Sequence, residues 1–540
     1  MIIEECNLPY NNQFVNDYLR GDRDVKQLFD YDFTQREAYE KRMADLRTKT
    51  FPRAELVRFL LSFNEKYCSH PNVFDNIRKL ESQHSVVVIT GQQAGLLTGP
   101  IYTVYKAVSA IQLANRFEAN LNIPVVPVFW VAGEDHDYQE INHVWAAENG
   151  VMKKHILKQK QLDKRPISNM PLDHDLLKIW LKGVFKSFGE TDQTARLIRF
   201  VEEKARKSDG FSDFFIHLMA ALFEEYGLVL IDSAHEDLRK IEAPFFETLV
   251  RNNEALQSSF RFQKENVRRL GYVSSVDSEE DCAHLFYHVN GERTLLFRNE
   301  DGTYYDKNHL IRFDEDELLE RCRQRPEQFS NNVVTRPLMQ DFLFPTLAFV
   351  AGPGEIAYWS HLKRCFQRFD RKMPPVVPRL HVTVVESHIK KILDRFGLPL
   401  NEVLRRGVES FKQEWLKAHQ DEDVYEVIEN TRHFIDLAHA KLRKAAWYTD
   451  RNLGKLSEKN RLMILSQIDF MKRRAELTFQ ERYAHELAAL NEAGAALFPN
   501  EGWQERSWNV FYYLNKYGFS FIDRLFEIPV SNHQHQIMYV

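Results

Sequence analysis

The sequence has few cysteines, and their spacing does not suit cross-linking. Its 540 residues include five cysteines, an odd number that is widely scattered along the chain. This pattern argues against a disulfide framework and against a Cys-x-x-Cys zinc site. We therefore expect buried free thiols and assign no metal.

An excess of positive charge and long apolar runs are also missing. The formal net charge is -5, so the sequence lacks the excess of positive charge that is typical of nucleic-acid-binding proteins. No apolar run reaches the roughly 18 residues that span a bilayer, and acidic residues follow the first Met too early for a signal peptide. We expect a cytoplasmic protein with neither membrane nor nucleic acid as a partner.

The chain is rich in apolar residues that alternate between strand and helix patterns. Hydrophobic residues make up 44% of the chain, enough for two to four globular units. Apolar runs typical of buried parallel strands, most of them followed by helical patterns, begin at Val86, Ile123, Gly227, Pro345 and Pro374. This alternation predicts a doubly wound parallel α/β sheet, while residues 1–82 have helical spacing.

Changes of pattern along the chain predict three regions. Residues 1–386 form the core, with a helical insertion at about 156–226 and a small β insertion at about 266–330. Residues 387–498 have few glycines or prolines and no strand signal, which predicts an α-helical arm. Residues 499–540 form a C-terminal segment that packs back on the core.

The arm contains two long helical patterns with apolar residues seven positions apart. The longer pattern carries Leu456, Met463, Phe470, Leu477 and Ala484. The shorter pattern carries Ile428, Ile435 and Leu442. Sustained heptads between charged faces predict a coiled coil. We expect an antiparallel hairpin whose seam pairs two subunits into a homodimer.

The first predicted strand ends in the sequence TGQQAG, which runs from Thr90 to Gly95. Its glycines let the backbone approach a ligand, and Gln92 and Gln93 add amide donors. A helix follows, and a helix N-terminus favours an anion. The spacing matches neither G-x-G-x-x-G nor the Walker A loop, so a tight turn without a ligand is the alternative.

Four ionisable residues directly follow the second predicted strand. They are Glu134, Asp135, His136 and Asp137. Such a run at the end of a buried strand indicates a general base, an ammonium-binding group or, with Glu140 and His143 on a shared helical face, a metal site. The alternative is a helix cap with acidic residues in the first turn.

Two polar segments flank the fourth predicted strand. RPLMQD, from Arg336 to Asp341, precedes the strand, and AGPGEIAYW follows it. The second segment contributes Gly354, Glu355, Tyr358 and Trp359. An isolated Arg-Pro is more often at the surface than in contact with a ligand. Only the neighbouring polar segments favour Arg336 as a ligand-binding residue.

Four blocks of the sequence resemble the BshC family, the cysteine ligases of bacillithiol biosynthesis. The blocks are TGQQAGLLTGPIYTVYKAVSAI, PVFWVAGEDHDYQEINH, RPLMQDFLFPTLAFVAGPGEIAYW and PRLHVTVVE. The resemblance runs over the whole chain. It implies a Rossmann-like core with connective-peptide insertions, a coiled-coil dimerisation arm and a ligase that adds L-cysteine to glucosaminyl-malate. It also implies activation of the carboxyl group by a nucleotide, ATP or ADP.

On this hypothesis the amide bond forms in one cleft at the strand ends. The predicted catalytic residues are Glu134, Asp135, His136 and Asp137. The carboxylates would bind an ammonium group, and His136 would deprotonate the glucosamine nitrogen near neutral pH. The predicted substrate-binding residues are Thr90, Gly91, Gln92, Gln93, Gly95, Tyr102, Lys106, Asn142, His143, Arg336, Asp341, Gly354, Glu355, Tyr358 and Trp359.

The nucleotide has two candidate places, the glycine turns of the core and an accessory site beside the arm. At the accessory site a helix start would offer amides and a Trp would offer a stacking face. The predicted accessory residues are Val384, Val385, Glu386, Ser387, Trp503 and Arg506. Two other functions stay open: a non-catalytic dimeric scaffold that binds a nucleotide or sugar, and a metal hydrolase using Asp135, His136, Glu140 and His143.

Overall fold

The computed structural model describes residues 2–161, 163–276, 279, 281–308, 310–419, 422–530 and 534–540. These residues form two compact units. The first unit comprises Met1–Ala146, Lys153–Val384 and Trp503–Val540. The second unit comprises Ala147–Met152 and Val385–Gly502.

Strands and helices alternate through most of the chain. The strands are β1 (Ile2–Cys6), β2 (Val86–Gln92), β3 (Val125–Val131), β4 (His143–Glu148), β5 (Val151–Ile156), β6 (Val229–Asp232), β7 (Cys282–Val289), β8 (Glu292–Arg298), β9 (Tyr304–Asp306), β10 (Arg312–Phe313), β11 (Phe329–Asn331), β12 (Thr346–Ala351), β13 (Val376–Pro378), β14 (Val382–Val385) and β15 (His535–Tyr539). The helices are α1 (Gln13–Arg20), α2 (Arg23–Lys26), α3 (Arg36–Leu46), α4 (Arg53–Glu65), α5 (Pro71–Lys79), α6 (Tyr102–Leu121), α7 (Tyr138–Ile141), α8 (His174–Phe188), α9 (Thr194–Arg206), α10 (Phe211–Phe223), α11 (Glu236–Arg251), α12 (Asn253–Arg269), α13 (Glu315–Gln324), α14 (Thr335–Leu343), α15 (Pro353–Trp359), α16 (Lys363–Arg368), α17 (Ser387–Phe396), α18 (Leu400–Arg406), α19 (Glu409–His419), α20 (Glu422–Thr449), α21 (Arg451–Arg482), α22 (Ala484–Leu497), α23 (Val510–Tyr517) and α24 (Ser520–Phe526).

A sheet of parallel strands forms the centre of the first unit. In the described residues its order is β13-β12-β2-β3-β6. Strand β3 is buried along its whole length and β2 along most of it, as parallel strands covered by helices should be. This order confirms the predicted Rossmann-like parallel sheet. The order in which the chain adds strands to the sheet reverses between β2 and β12. Ligands of such sheets are expected at this point.

The prediction of one continuous fifth strand from Pro374 is wrong, because this stretch forms two strands that belong to two different sheets. Strand β13 completes the parallel sheet, whereas β14 belongs to a separate sheet with the order β1-β15-β14. The break follows Pro378, which has no N–H to continue a ladder. Strand β1 also departs from the helical prediction for residues 1–82. It pairs antiparallel with β15 at the other end of the sequence, a contact that local periodicity does not reveal.

The stretches predicted as insertions differ from each other in secondary structure. Helices α8, α9 and α10 lie within the helical insertion. Strands β7 to β11 form an antiparallel sheet in the order β10-β9-β8-β7-β11. None of the described helices is long and apolar enough to cross a membrane.

The second unit contains the predicted helical hairpin. Ion pairs join α20 to α21 in antiparallel register, from Lys472–Glu429 near one end to Arg443–Glu458 near the other. The buried residues of α21 are Gly454, Ser457 and Leu465, none of which belongs to the predicted heptad set. Leu456, Met463, Phe470 and Leu477 remain 45–61% exposed.

Candidate active site

A cleft of about 420 Å³ opens at the carboxyl ends of β2 and β12, where the strand order reverses. Open α/β sheets bind their ligands at this position. The structure brings together here many of the predicted site residues: Gly91, Gln92, Gln93, Tyr102, Lys106, Asp135, Arg336, Gly354, Glu355, Tyr358 and Arg506. We refer to this space as the first cavity.

A second cavity of about 510 Å³ adjoins the first. Gln93, Asp135 and Arg336 are among the residues that line both cavities and so form a shared wall. The second cavity also contains the predicted residues His136 and Asp137. The two cavities could therefore hold two substrates on either side of one row of polar groups.

Lys106 is a buried cation in the wall of the first cavity. Its Nζ atom donates to Gly91 O at 2.7 Å and to Gln92 Oε1 at 2.9 Å, and it lies 2.6 Å from Glu355 Oε2. Burial lowers the pKa of Lys106, and the Glu355 carboxylate opposes that change. This contact fixes Gln92 with its amide oxygen turned inward, so that its NH₂ group is the part left for a ligand.

Glu134 is completely buried behind the shared wall. Its Oε2 atom accepts from Arg239 Nη2 at 2.5 Å and from Asn331 N at 3.1 Å, and its Oε1 atom accepts from Arg336 Nε at 2.9 Å. Burial raises the pKa of Glu134, but Arg239 and Arg336 outweigh it and lower the pKa to about 2. Glu134 therefore does not bind an ammonium ligand, because both of its oxygens hold neighbouring groups.

Arg336 carries this buried network to the cavities. While its Nε atom holds Glu134, its Nη2 atom donates to Asp135 Oδ1 at 2.5 Å. Asp135 also accepts weaker hydrogen bonds of 3.4 Å from Arg293 Nη1 and from Gln93 Nε2. The shared wall is thus a chain of alternating charges whose side chains have little freedom to rotate.

His136 lies in the second cavity and is half-buried. Its Nδ1 atom is 3.3 Å from Arg293 Nη1, and its ring meets the edge of Phe286 at 6.1 Å. Burial, followed by the positive charge of Arg293, lowers the pKa of His136. The imidazole is consequently neutral at pH 7 and able to accept a proton.

Several predicted residues lie outside the cavities. Thr90 is buried, and its hydroxyl donates to Val350 O at 2.9 Å, which ties β2 to β12. Gly95 packs closely on Gly99 in a buried turn. Trp359 stacks in the core on Phe349 at 4.3 Å. These three side chains or turns support the cleft from behind.

Asp341, Asn142 and His143 are also displaced from the predicted substrate site. Asp341 is buried in ion pairs with Arg42 and Arg371. Asn142 is buried too, and its side chain contacts the ring of His143, whose pKa burial lowers to about 4. Neither His143 nor Asn142 lines the two cavities.

The shared helical face proposed for a metal site does not form. Helix α7 is a single turn that ends at Ile141, and His143 is already the first residue of β4. In the part of the chain that the structure describes, no group of three His, Cys, Asp or Glu side chains has a metal-binding arrangement.

The predicted accessory nucleotide residues belong to both units. Val384, Trp503 and Arg506 lie in the first unit, and Val385, Glu386 and Ser387 lie in the second. Arg506 lines the first cavity. The Trp503 ring packs against Tyr10 and His381 at centroid distances of 4.5 and 5.6 Å. The combined site stays a prediction.

Sequence reasoning missed three arginines. Arg379 lines the first cavity and makes two hydrogen bonds to Glu505, of 2.7 and 2.6 Å. It directly follows β13, and ligands bind at the carboxyl ends of parallel strands. Its position in the sequence could therefore have identified it as a site residue. Arg239 and Arg293 reach Glu134 and Asp135 from distant parts of the chain, and no local pattern identifies them.

We predict that Glu134→Gln weakens the fold and changes its response to acid. Because the pKa of Glu134 is depressed, its contribution to stability is present above the unfolded value of about 4.3. It is lost as pH falls through the folded value of about 2. Removing one partner of a buried ion pair costs about 3–5 kcal/mol, so the free energy of unfolding at pH 7 should fall by that order.

Urea unfolding of both proteins from pH 7 to pH 2 measures the effect. Below about pH 4.3 the variant should lose stability less steeply than the parent, because it has no carboxylate at position 134 to take up a proton. Glu65→Gln, at an exposed position of α4, is the control and should follow the parent curve. A Glu134→Gln curve parallel to the parent would contradict the assigned ion pairs.

Comparison with known proteins places the chain in a family. The model described as "Bacillithiol biosynthesis BshC, N-terminal Rossmann-like domain" matches residues 1–380. The model described as "Bacillithiol biosynthesis BshC, C-terminal coiled-coil domain" matches residues 382–540. The two models together cover nearly the whole sequence.

Full-length relatives agree with the family models. The chain is 39% identical over 542 residues to "Putative cysteine ligase BshC" of Geobacillus sp. (strain WCH70), covering 100% of both chains. It is 40% identical over 539 residues to the protein of the same name from Bacillus licheniformis, again covering 100% of both. A solved structure titled "Crystal structure of putative arginyl t-RNA synthetase from Campylobacter jejuni" aligns with a TM-score of 0.23 and 9% identity, over 83% of this chain and 94% of that one. The chain therefore belongs to the BshC family of bacillithiol biosynthesis, a family of ligases.

Proposed function

We propose that this protein joins L-cysteine to glucosaminyl-malate through an amide bond, in the last step of bacillithiol biosynthesis. The observation that carries the proposal is the pair of adjoining cavities with a neutral imidazole in one of them. Amide formation needs an acyl group and an amine held side by side, together with a base for the amine proton. The names of the relatives support cysteine as the acyl donor.

The first cavity suits the polar, anionic parts of the reactants. The NH₂ groups of Gln92 and Gln93 and the guanidinium groups of Arg336 and Arg506 supply donors there. Tyr358 closes the same side. Because Arg336 is fixed by Glu134 and Asp135, its position changes little when a ligand enters.

The residues of the first cavity also fit a nucleotide phosphate. Arg336 and Arg506 line this space, and their guanidinium groups suit phosphate oxygens. The Nε atom of Arg379, a buried donor with no acceptor in the described residues, is left for an uncharged part of the nucleotide. When bound, ATP would supply the activation that lets the carboxylate oxygen of cysteine leave.

In the second cavity His136 is the base. The glucosamine nitrogen forms the new C–N bond and loses one proton, which passes to a ring nitrogen of His136. Burial and then the positive charge of Arg293 lower the pKa of His136 and keep the imidazole neutral before the reaction. The carboxylates of Asp135 and Asp137 act in the opposite direction on this pKa, so they stabilise the positive charge that the ring gains.

We predict that His136→Asn folds normally, binds substrate and loses about 10²–10⁴-fold in rate, because the amine proton has no base. Since the pKa of His136 is lowered, the parent rate should stay level through about pH 6.5 and fall at lower pH. That acid limb should be missing from the variant. In cells lacking the native gene, the variant should leave glucosaminyl-malate unconverted.

His84→Asn is the control, since His84 is exposed. It should restore the cysteine-bearing thiol to the level of the parent. Full thiol production by His136→Asn would show that the Glu134–Asp137 turn is structural, and the role of base would pass to another group.

We also propose that the protein is a homodimer through the second unit. The apolar stripe of α21 that contains Met463, Phe470 and Leu477 is exposed in the single chain. Exposed apolar stripes of this length mark interaction surfaces. Its heptad spacing suits pairing with the same stripe of a second copy.

Phe470→Glu combined with Leu477→Glu should give a monomer of 63.8 kDa in light scattering, because buried carboxylates would oppose pairing. Phe470→Leu combined with Leu477→Met keeps the stripe apolar and should retain twice that mass. If the glutamate variant elutes at the mass of the parent, the stripe does not hold the dimer.

A further inference from the structure

A donor and an acceptor face each other across Gly352 in the first cavity. Gly352 follows β12 and has an ordinary extended backbone, with φ -81° and ψ 171°. A Cβ atom at this position would lie 3.4 Å from Glu355 Oε2 and 3.5 Å from Arg379 Nε. Because glycine has no side chain, a ligand is able to approach the backbone here and come within reach of both groups.

Arg379 is the donor of this pair. Its two terminal nitrogens bind Glu505, and the side chain is only 2% exposed. Within the described residues, no acceptor contacts its Nε atom. A buried N–H group of this kind normally has a partner, and here its nitrogen lies beside the space over Gly352.

Glu355 is the acceptor. Its Oε2 atom accepts from Gly352 N at 2.7 Å and lies 2.6 Å from Lys106 Nζ. These contacts hold the carboxylate in place beside the space over Gly352. Lys106 itself has its donors directed at Gly91, Gln92 and Glu355.

The charges decide which chemical group fits. Arg379 is neutralised by Glu505, and Lys106 is neutralised by Glu355. An anion over Gly352 would meet the Glu355 carboxylate, and a cation would meet the Arg379 guanidinium. A neutral group that both accepts and donates satisfies both neighbours, and a hydroxyl does so with two charge-assisted hydrogen bonds.

We propose that Gly352, Glu355 and Arg379 form a hydroxyl-binding subsite for a sugar ring. The hydroxyl accepts from Arg379 Nε–H and donates to the Glu355 carboxylate. Two sugars in the proposed reaction carry hydroxyl groups, the glucosamine ring of the acceptor and the ribose of the nucleotide. The inference rests on the proposed function for the choice of these two. In either case the sugar hydroxyl must lie over Gly352, between Arg379 and Glu355.

Calorimetric titration of the full-length protein tests the subsite with matched probe pairs. The first pair is glucosaminyl-malate and L-malate, which differ by the sugar. The second pair is ADP and 2′,3′-dideoxy-ADP, which differ by the ribose hydroxyls. We expect either glucosaminyl-malate to bind the parent at least tenfold more tightly than L-malate, or ADP to bind at least tenfold more tightly than 2′,3′-dideoxy-ADP. The pair that shows the preference identifies the sugar.

Gly352→Ala fills the space with a methyl group at a backbone conformation that alanine adopts readily. It should keep the Tm of the parent and reduce the preference within the identified pair to less than threefold. Gly183→Ala, at an exposed position of α8 where a Cβ meets nothing, is the control and should bind all four probes as the parent does. Glu355→Gln provides the same test if Gly352→Ala does not fold.

The subsite is overturned if the parent prefers neither glucosaminyl-malate to L-malate nor ADP to 2′,3′-dideoxy-ADP. It is also overturned if Gly352→Ala and Glu355→Gln both keep the full preference. These are binding measurements and need no turnover. A protein that shows the preference but makes no thiol would therefore refute the proposed reaction and leave the subsite standing.

Discussion

The buried carboxylate of Glu134 is the interaction on which the geometry of both cavities depends. Burying a charge is costly unless it is paired and hydrogen-bonded. Here Arg239, Arg336 and the backbone of Asn331 meet that requirement together. Because Glu134 comes directly after the short loop that ends β3, it joins the central sheet to two arginines from later parts of the chain. The polar wall between the cavities is fixed as a result.

That fixed wall explains how one turn of sequence serves two purposes. Glu134 points inward and is structural, whereas Asp135 and His136 point to the cavities. Arg293 stacks on Phe286 with 3.7 Å from its guanidinium carbon to the ring centroid. Burial, together with the charge of Arg293, lowers the pKa of the neighbouring His136 and keeps its imidazole neutral. A neutral base beside a fixed guanidinium is a suitable arrangement for taking a proton from an amine at neutral pH.

The sequence was sufficient for features that depend on local pattern. Apolar runs predicted β2 and β3, and the glycine-rich and acidic turns after them lie at the edge of the sheet where the two cavities open. Heptad spacing predicted the long helices of the arm. In each case the signal lies within one continuous stretch of chain, where period and turn chemistry act directly.

Features that depend on distant contacts could not be predicted in the same way. Glu134 looked like a ligand-binding acid, because its partner Arg239 lies 105 residues away. Trp359 looked like a site residue beside Tyr358, but it faces the core. The region after Pro374 looked like one strand, because the pairing of β14 with β15 involves the chain end.

The central claim is that the two cavities together make an amide bond. The most direct test is to mix the pure protein with L-cysteine, glucosaminyl-malate and ATP and to follow the products by mass spectrometry. The account predicts a new thiol whose mass equals the two substrates less one water, formed only when all three are present. If both substrates remain unchanged while the protein is folded and binds them, the claim is contradicted.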